Sequence, residues 1–285
     1  MATKSRSNVA PAGAAVQPER ASVPAGSSVE ELLASARERG DASLETGRFL
    51  VTFKEGGEGA ATAGFRDLGM RVASARDFDQ QAVEMAALGD ADAVVFPEIN
   101  VALVSGGDRA AASFRAFEGT AAHSPLQIIE PEYFVFSDGI SAEYLRGFRR
   151  AAEAIAADFG ETSVRVEEPP ASIQVQGATW GLAACRVPAS AFSGQGIKVA
   201  VLDTGMDLGH PDFAGRLVTS ATFVGQPAQD LHSHGTHCIG TACGPQAPAG
   251  STPRYGIAHR AHIFVGKVLS NSGSSVGGSV LAGMN

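Results

Sequence analysis

The chain has 285 residues, 44% hydrophobic and 18% charged, a core-forming balance that excludes wholesale disorder. Its formal net charge of −8 argues against a general nucleic-acid binder, and no apolar stretch approaches the ~20 residues that a membrane span needs. Three cysteines (Cys185, Cys238 and Cys243) form no Cys-x-x-Cys pair and cannot build a disulfide framework, so a reducing compartment is expected.

Residues 1–27, rich in Ala, Pro, Ser and Gly, read as a disordered leader. The basic residues near Met1 are not followed by an apolar run, so no Sec-type signal peptide is expected, and the cytoplasm is expected over secretion. Ser28-x-x-Glu31 is a capping-box pattern that opens a short helix ended at Gly40, and residues 1–46 form one leader unit.

From Arg48 the pattern changes, and the chain becomes acidic: residues 51–170 carry ten basic and twenty acidic side chains. Phe49–Phe53 is a strand and Ala60–Leu68 a helix closed by Gly69. Met70–Ala75 is a second strand, and Ala93–Phe96 and Ile99–Val104 are further strand runs with a break at Pro97. Arg109–Phe117 reads as a helix, and Leu126–Ile129 with Tyr133–Phe136 as a closing strand. Strand, helix, strand, strand, helix, strand is the ferredoxin-like α+β order, although other small α+β modules share the pattern. Residues 47–138 are therefore expected to be one α+β domain. An amphipathic helix at 141–159, with Leu145, Phe148, Ala152, Ile155 and Phe159 on one face, and a linker at 167–171 fill residues 139–175.

The last part, residues 176–285, reads as α/β. Ile197–Leu202 is an apolar run of the kind buried on both faces of a parallel sheet, followed by a short strand at 221–224. A helix over His234–Cys243, a strand over Ile263–Leu269 and a helix from Ser279 complete the alternation. Residues 171–285 carry six basic and four acidic side chains, a balance unlike the acidic middle.

Two stretches in this part carry chemistry. Lys198-Val-Ala-Val-Leu-Asp203-Thr-Gly205 puts an aspartate at the carboxyl end of a strand, where parallel sheets place their sites, and Gly205 permits the turn that faces it inward. An aspartate there is on its own more often an ordinary turn or cap residue. His232-Ser-His234-Gly-Thr-His237-Cys238 puts histidines at a helix start, where a carboxylate on Nδ1 would fix the tautomer of a proton-accepting imidazole. Zinc on the three histidines is less favoured, because there is no His-Glu-x-x-His and the neighbours supply no further strong ligands. An aspartic protease would need two Asp-Thr-Gly carboxylates, and one chain supplies one.

Together, Gly194-Gln-Gly-Ile-Lys-Val-Ala-Val-Leu-Asp203-Thr-Gly205, His210-Pro-Asp-Phe213 and His234-Gly-Thr-His-Cys-Ile-Gly-Thr241 resemble the Asp and His blocks of the subtilisin-like serine proteases. Tyr255-Gly-Ile-Ala258, Lys267-Val-Leu269 and Trp180-Gly-Leu182 extend the likeness. The resemblance implies an α/β chain, a ferredoxin-like prodomain followed by the first part of a subtilisin-like parallel-sheet domain. It implies that Asp203 is the triad aspartate, that His234 is the general base and that His237 is packed in the helix. Cys238 resembles the free thiol of the proteinase K branch, a neighbour of the site and not its nucleophile. Residues 47–138, ending in Ile128-Ile-Glu-Pro-Glu-Tyr-Phe-Val135, resemble the subtilase propeptide, which contacts and inhibits its own catalytic domain.

The substrate implied is a protein or peptide. Asp212 matches a calcium-binding position of some subtilases, but the loop 244–251 does not match, and no metal or cofactor is expected. By the same resemblance the substrate-binding strand, the oxyanion-hole asparagine and the Gly-Thr-Ser nucleophile block are missing, and no Gly-x-Ser-x-Gly elbow replaces them. The chain alone is expected to be inactive. The alternative is a non-catalytic prodomain-type inhibitor or folding chaperone, or a degenerate protease.

Overall fold

A computed structural model describes residues 23–39, 44–78, 82–107, 110, 114, 124–137, 177–250 and 252–285. The expected helix at 141–159, the linker at 167–171 and most of the expected helix at 109–117 lie outside the described residues. The capping box forms: the Glu31 carboxylate accepts from Ser28 N at 2.9 Å and Ser28 Oγ accepts from Glu31 N at 3.3 Å, opening α1 (Val29–Arg39).

Strands β1 (Glu45–Phe53), β2 (Val72–Ser74), β3 (Ala93–Phe96), β4 (Val101–Val104) and β5 (Leu126–Phe136) lie in the order β2-β3-β4-β1-β5, with α2 (Glu58–Asp67) between β1 and β2. The pairs β1–β4, β1–β5 and β3–β4 are antiparallel, and β2 joins β3 in parallel at the edge. The two runs around Pro97 are thus separate strands of a hairpin. Proline there has no N–H to extend a ladder, and Pro97–Ile99 forms a 3₁₀ turn that Asn100 closes in the left-handed region at φ 55°. The run at 70–75 shrinks to a three-residue edge strand, so β3 and not β2 lies beside β4. The two closing runs are one strand, with Pro131 opposite Phe49 beside a register shift.

The period of two along β3 assigns its side chains to two cores, and all four residues are buried. Ala93 and Val95 join Val51, Phe53, Ala61 and Phe65 beneath α2. Val94 and Phe96 face Leu103 and, from the other end of the chain, Phe223, Val268, Leu269 and Ala282.

The C-terminal part is mixed α/β. It contains α3 (Trp180–Ala184), β6 (Lys198–Asp203), β7 (Val218–Thr222), α4 (His234–Cys243), β8 (His262–Lys267), β9 (Ser274–Val276) and α5 (Gly277–Met284). Strands β6, β8 and β7 form a parallel sheet in that order. Ile239 and Cys243 of α4 pack on it with Met206, Phe213, Ile263 and Val265. One expectation fails here. β6 is not buried on both faces: Lys198 and Ala200 are exposed, because β6 is a flank strand and the central position belongs to β8.

β9 leaves that sheet and pairs antiparallel with β5, setting Phe134 opposite Val276 and Phe136 opposite Ser274. Val23 and Leu32 cover this seam, packing against Phe134 and Val276. Beside it lies an ion pair with both side chains fully buried: Glu132 accepts from Arg48 Nε at 2.6 Å and Nη2 at 2.9 Å. It also accepts from Thr46 Oγ1 at 2.6 Å and from Gly278 N at 2.7 Å. The last bond caps the first turn of α5, whose own N-cap, Val276, has no side chain able to do so.

Candidate functional site

Asp203 ends β6 and His234 begins α4, so one carboxylate and one imidazole meet at the carboxyl end of the parallel strands. Two glycines allow the approach. Gly205 sits at φ +104°, and a Cβ there would lie 2.3 Å from the Ala228 carbonyl oxygen. A Cβ on Gly235 would lie 2.3 Å from the Gly205 carbonyl oxygen, so the turn and the helix start are in backbone contact.

His234 Nδ1 lies 2.8 Å from Asp203 Oδ1 and 2.9 Å from Oδ2. A carboxylate only accepts, so Nδ1 carries the proton and Nε2 is the free basic nitrogen. Asp203 Oδ1 also accepts from Thr204 N at 2.7 Å. The histidine side chain is 29% exposed and the aspartate 10%, an oriented base open on one side. Among the described residues no hydroxyl or thiol is hydrogen-bonded to Nε2.

The support beneath this pair was not visible as a site in the sequence. Asp230 accepts from His232 N, Ser233 N and Thr236 N at 2.9 Å each, from Thr236 Oγ1 at 2.6 Å and from Thr204 Oγ1 at 2.9 Å. Burial works to raise its pKa, but the bonds from Thr236, His232 and Thr204 outweigh that and lower it to about 2. It therefore fixes the start of α4 as an anion at neutral pH, while Ser233 takes the left-handed conformation at φ 77°. Thr204 Oγ1 in turn accepts from Gly235 N at 2.9 Å. Lys267 is fully buried at the end of β8 and donates to the Thr204 carbonyl oxygen. Burial lowers its pKa, and the Asp230 and Asp203 carboxylates oppose the shift. The sequence signals were an aspartate four residues before a helical histidine and a lone lysine ending an apolar strand.

Cys238 Sγ is 3.8 Å from His234 Nδ1, one helical turn on. Burial raises its pKa, and Asp203 and Asp230 add to the rise, so the thiol form is favoured. Asp203, His234 and Cys238 form the one group among the described residues whose ligand atoms lie close enough together for a metal ion. Nδ1, however, is already committed to both carboxylate oxygens. His237 differs from expectation. It is exposed and faces a cleft of about 780 Å³ shared with Asp207, His210, Phe213, Leu231 and Tyr255, since helical residues three apart diverge by about 60°. Asp203 and His234 do not line that cleft. Asp212 is occupied by the Tyr255 hydroxyl, which donates to it.

Residues 194–284 match the profile of the Subtilase family. The chain is 37% identical over 93 residues to a cuticle-degrading protease of Metarhizium anisopliae, covering 33% of this chain and 22% of that one. It is 39% identical over 120 residues to an alkaline serine protease of Corniculantispora psalliotae, covering 39% and 29%. Among solved structures, a cold-adapted subtilisin-like serine proteinase aligns at 36% identity over 33% of this chain and 32% of that chain, with a TM-score of 0.28. The chain spans 22% to 32% of the length of such curated relatives.

Proposed function

We propose, from the premise that residues 194–284 belong to the subtilase family, that the chain is the N-terminal portion of a subtilisin-like serine endopeptidase precursor. The observation that carries this reading is the His234 Nδ1 contact with both oxygens of Asp203, which leaves Nε2 as an oriented base. A serine on chain beyond Asn285 attacks the peptide carbonyl while its proton passes to Nε2. Nε2 then gives that proton to the leaving amine, and water repeats the sequence on the acyl-enzyme. Asp203 stays ionised and stabilises the imidazolium formed at each step.

In the same reading residues 47–138 are the propeptide and residues 176–285 the start of the catalytic domain. The strand order β3-β4-β1-β5 supports a ferredoxin-like propeptide, and the β5–β9 seam with the Glu132 cap on α5 supports a contact between the two units. The substrate is then a protein or peptide chain.

The test begins with the intact mass and C-terminal peptide map of the natural gene product. Extension to a serine in a Gly-Thr-Ser context, with peptide hydrolysis falling about 10⁴-fold in Asp203→Asn, is expected. A natural product that ends at Asn285, or hydrolysis unchanged in Asp203→Asn and His234→Ala, sinks the reading. A second reading, a non-catalytic inhibitor or folding chaperone, is favoured by the lack of a nucleophile at Nε2 among the described residues. It requires that the chain, added in trans, inhibit a mature subtilase or speed its refolding.

A further inference from the structure

At the opposite end of the parallel sheet from Asp203, the loops entering β6 and β8 border an open cavity of about 440 Å³ lined by Ser190, Ser193, Gln246, Arg254, His259 and Arg260 among others. A six-residue strand at ~3.3 Å per residue puts it nearly 20 Å from the Asp203 carboxylate. The side chains named present donors. Arg254 is 7% exposed and held in place, its Nε donating to the Gly256 carbonyl oxygen at 3.0 Å and its Nη2 to that of Ile257 at 2.9 Å.

Nη2 also lies 3.3 Å from His259 Nδ1; a guanidinium only donates, so Nδ1 accepts and Nε2 keeps the ring proton. Ser190 Oγ accepts from Phe192 N and Ser193 Oγ from Gln195 N, which leaves both hydroxyl protons to donate. Among the described residues no carboxylate lines the cavity, and neither Arg254 nor Arg260 makes an ion pair. In a chain of net charge −8 this is a concentrated positive site. His259 reports the field: burial lowers its pKa, and Arg254, then Arg260 and Arg216, lower it further, against a bond its ring N–H donates to the Ile257 backbone carbonyl.

We infer that this cavity is a binding site for a small tetrahedral oxyanion, phosphate or sulfate, separate from the Asp203–His234 site. Arg254 supplies a fixed guanidinium, because its own loop already orders it, and Arg260 an exposed one that closes on the anion. The hydroxyls of Ser190 and Ser193 complete a shell of donors.

The experiment is a titration of the full chain with inorganic phosphate at constant ionic strength, with chloride as the balancing ion, read by calorimetry and by the NMR titration of His259. Saturable binding at millimolar or lower phosphate is expected, with the His259 pKa rising, sulfate competing and chloride inert. Arg260→Gln changes an exposed side chain and is expected to weaken phosphate at least tenfold while leaving the melting temperature unchanged. No saturable response by about 20 mM phosphate overturns the inference. So does equal affinity in Arg260→Gln, or an effect that chloride reproduces.

Discussion

Replacing Glu132 by glutamine changes one atom at a site closed to bulk solvent. Both Glu132 and Arg48 are fully buried, and the two carboxylate oxygens accept four bonds, two from Arg48 and one each from Thr46 Oγ1 and Gly278 N. Glutamine offers one acceptor oxygen and turns an NH₂ toward groups that can only donate, or, for Thr46, already donate. The guanidinium is left as an uncompensated buried charge. Breaking one partner of such a pair costs about 3–5 kcal/mol. At a urea slope of about 2–3 kcal/mol/M, the unfolding midpoint of the full chain falls by roughly 1–2.5 M. The double variant Arg48→Met, Glu132→Leu removes both charges and is expected to recover most of the loss. A midpoint within about 0.3 M of the parent for Glu132→Gln, a change of less than 1 kcal/mol, would refute the reasoning.

Asp230 makes acid sensitivity predictable. Its folded pKa of about 2 lies below the ordinary value of 3.8, so its contribution is fully present above pH 4 and is lost as pH falls from 4 through 2. The change amounts to about 2 kcal/mol, and Asp230→Asn is expected to be less stable at neutral pH and to flatten that acid limb in urea titrations between pH 2 and 5; a limb of unchanged depth would remove Asp230 as its cause. The cysteines differ in exposure and therefore in reaction order. Iodoacetamide is expected to label exposed Cys185 first, Cys238 later and only as pH rises, and buried Cys243 on unfolding, as read by peptide mapping over time. Labelling of Cys238 ahead of Cys185 at neutral pH would contradict the raised thiol pKa.

Legibility in the sequence followed chain distance. The α1 capping box, α2 with Gly69 after it, and α4 beginning at His234 are local events, and their caps and periodicities name them. Asp203 and His234 are each placed by local signals, a strand end and a helix start, and it is the resemblance to the subtilase Asp and His blocks that joins them as a pair. The features that escaped depend on partners far along the chain. Glu132 lies between the two closing runs, where nothing local marks it, and its role depends on Gly278, 146 positions away. Ile197–Leu202 reads as a doubly buried strand because an apolar run does not reveal whether its strand lies in the centre of a sheet or on its flank. His237 shares a helix turn with His234, and only the packing of α4 decides which faces the sheet edge and which the cleft.

The seam between β5 and β9 sets a clock on synthesis. A ribosome completes β5 roughly 140 residues before β9, and at about 5–20 residues per second the interval is about 7–30 s. Throughout it the five strands from β1 to β5 can be finished, yet the outer edge of β5 has nothing to pair with. That edge holds Ile128, Tyr133 and Phe136, which are about half exposed even with β9 in place. An open apolar strand waiting for seconds on a crowded polysome can recruit the nascent chain ahead of it. Yield of soluble protein therefore depends on elongation rate between codons 137 and 273: slow passage lengthens the exposure, and whatever hastens delivery of β9 shortens it.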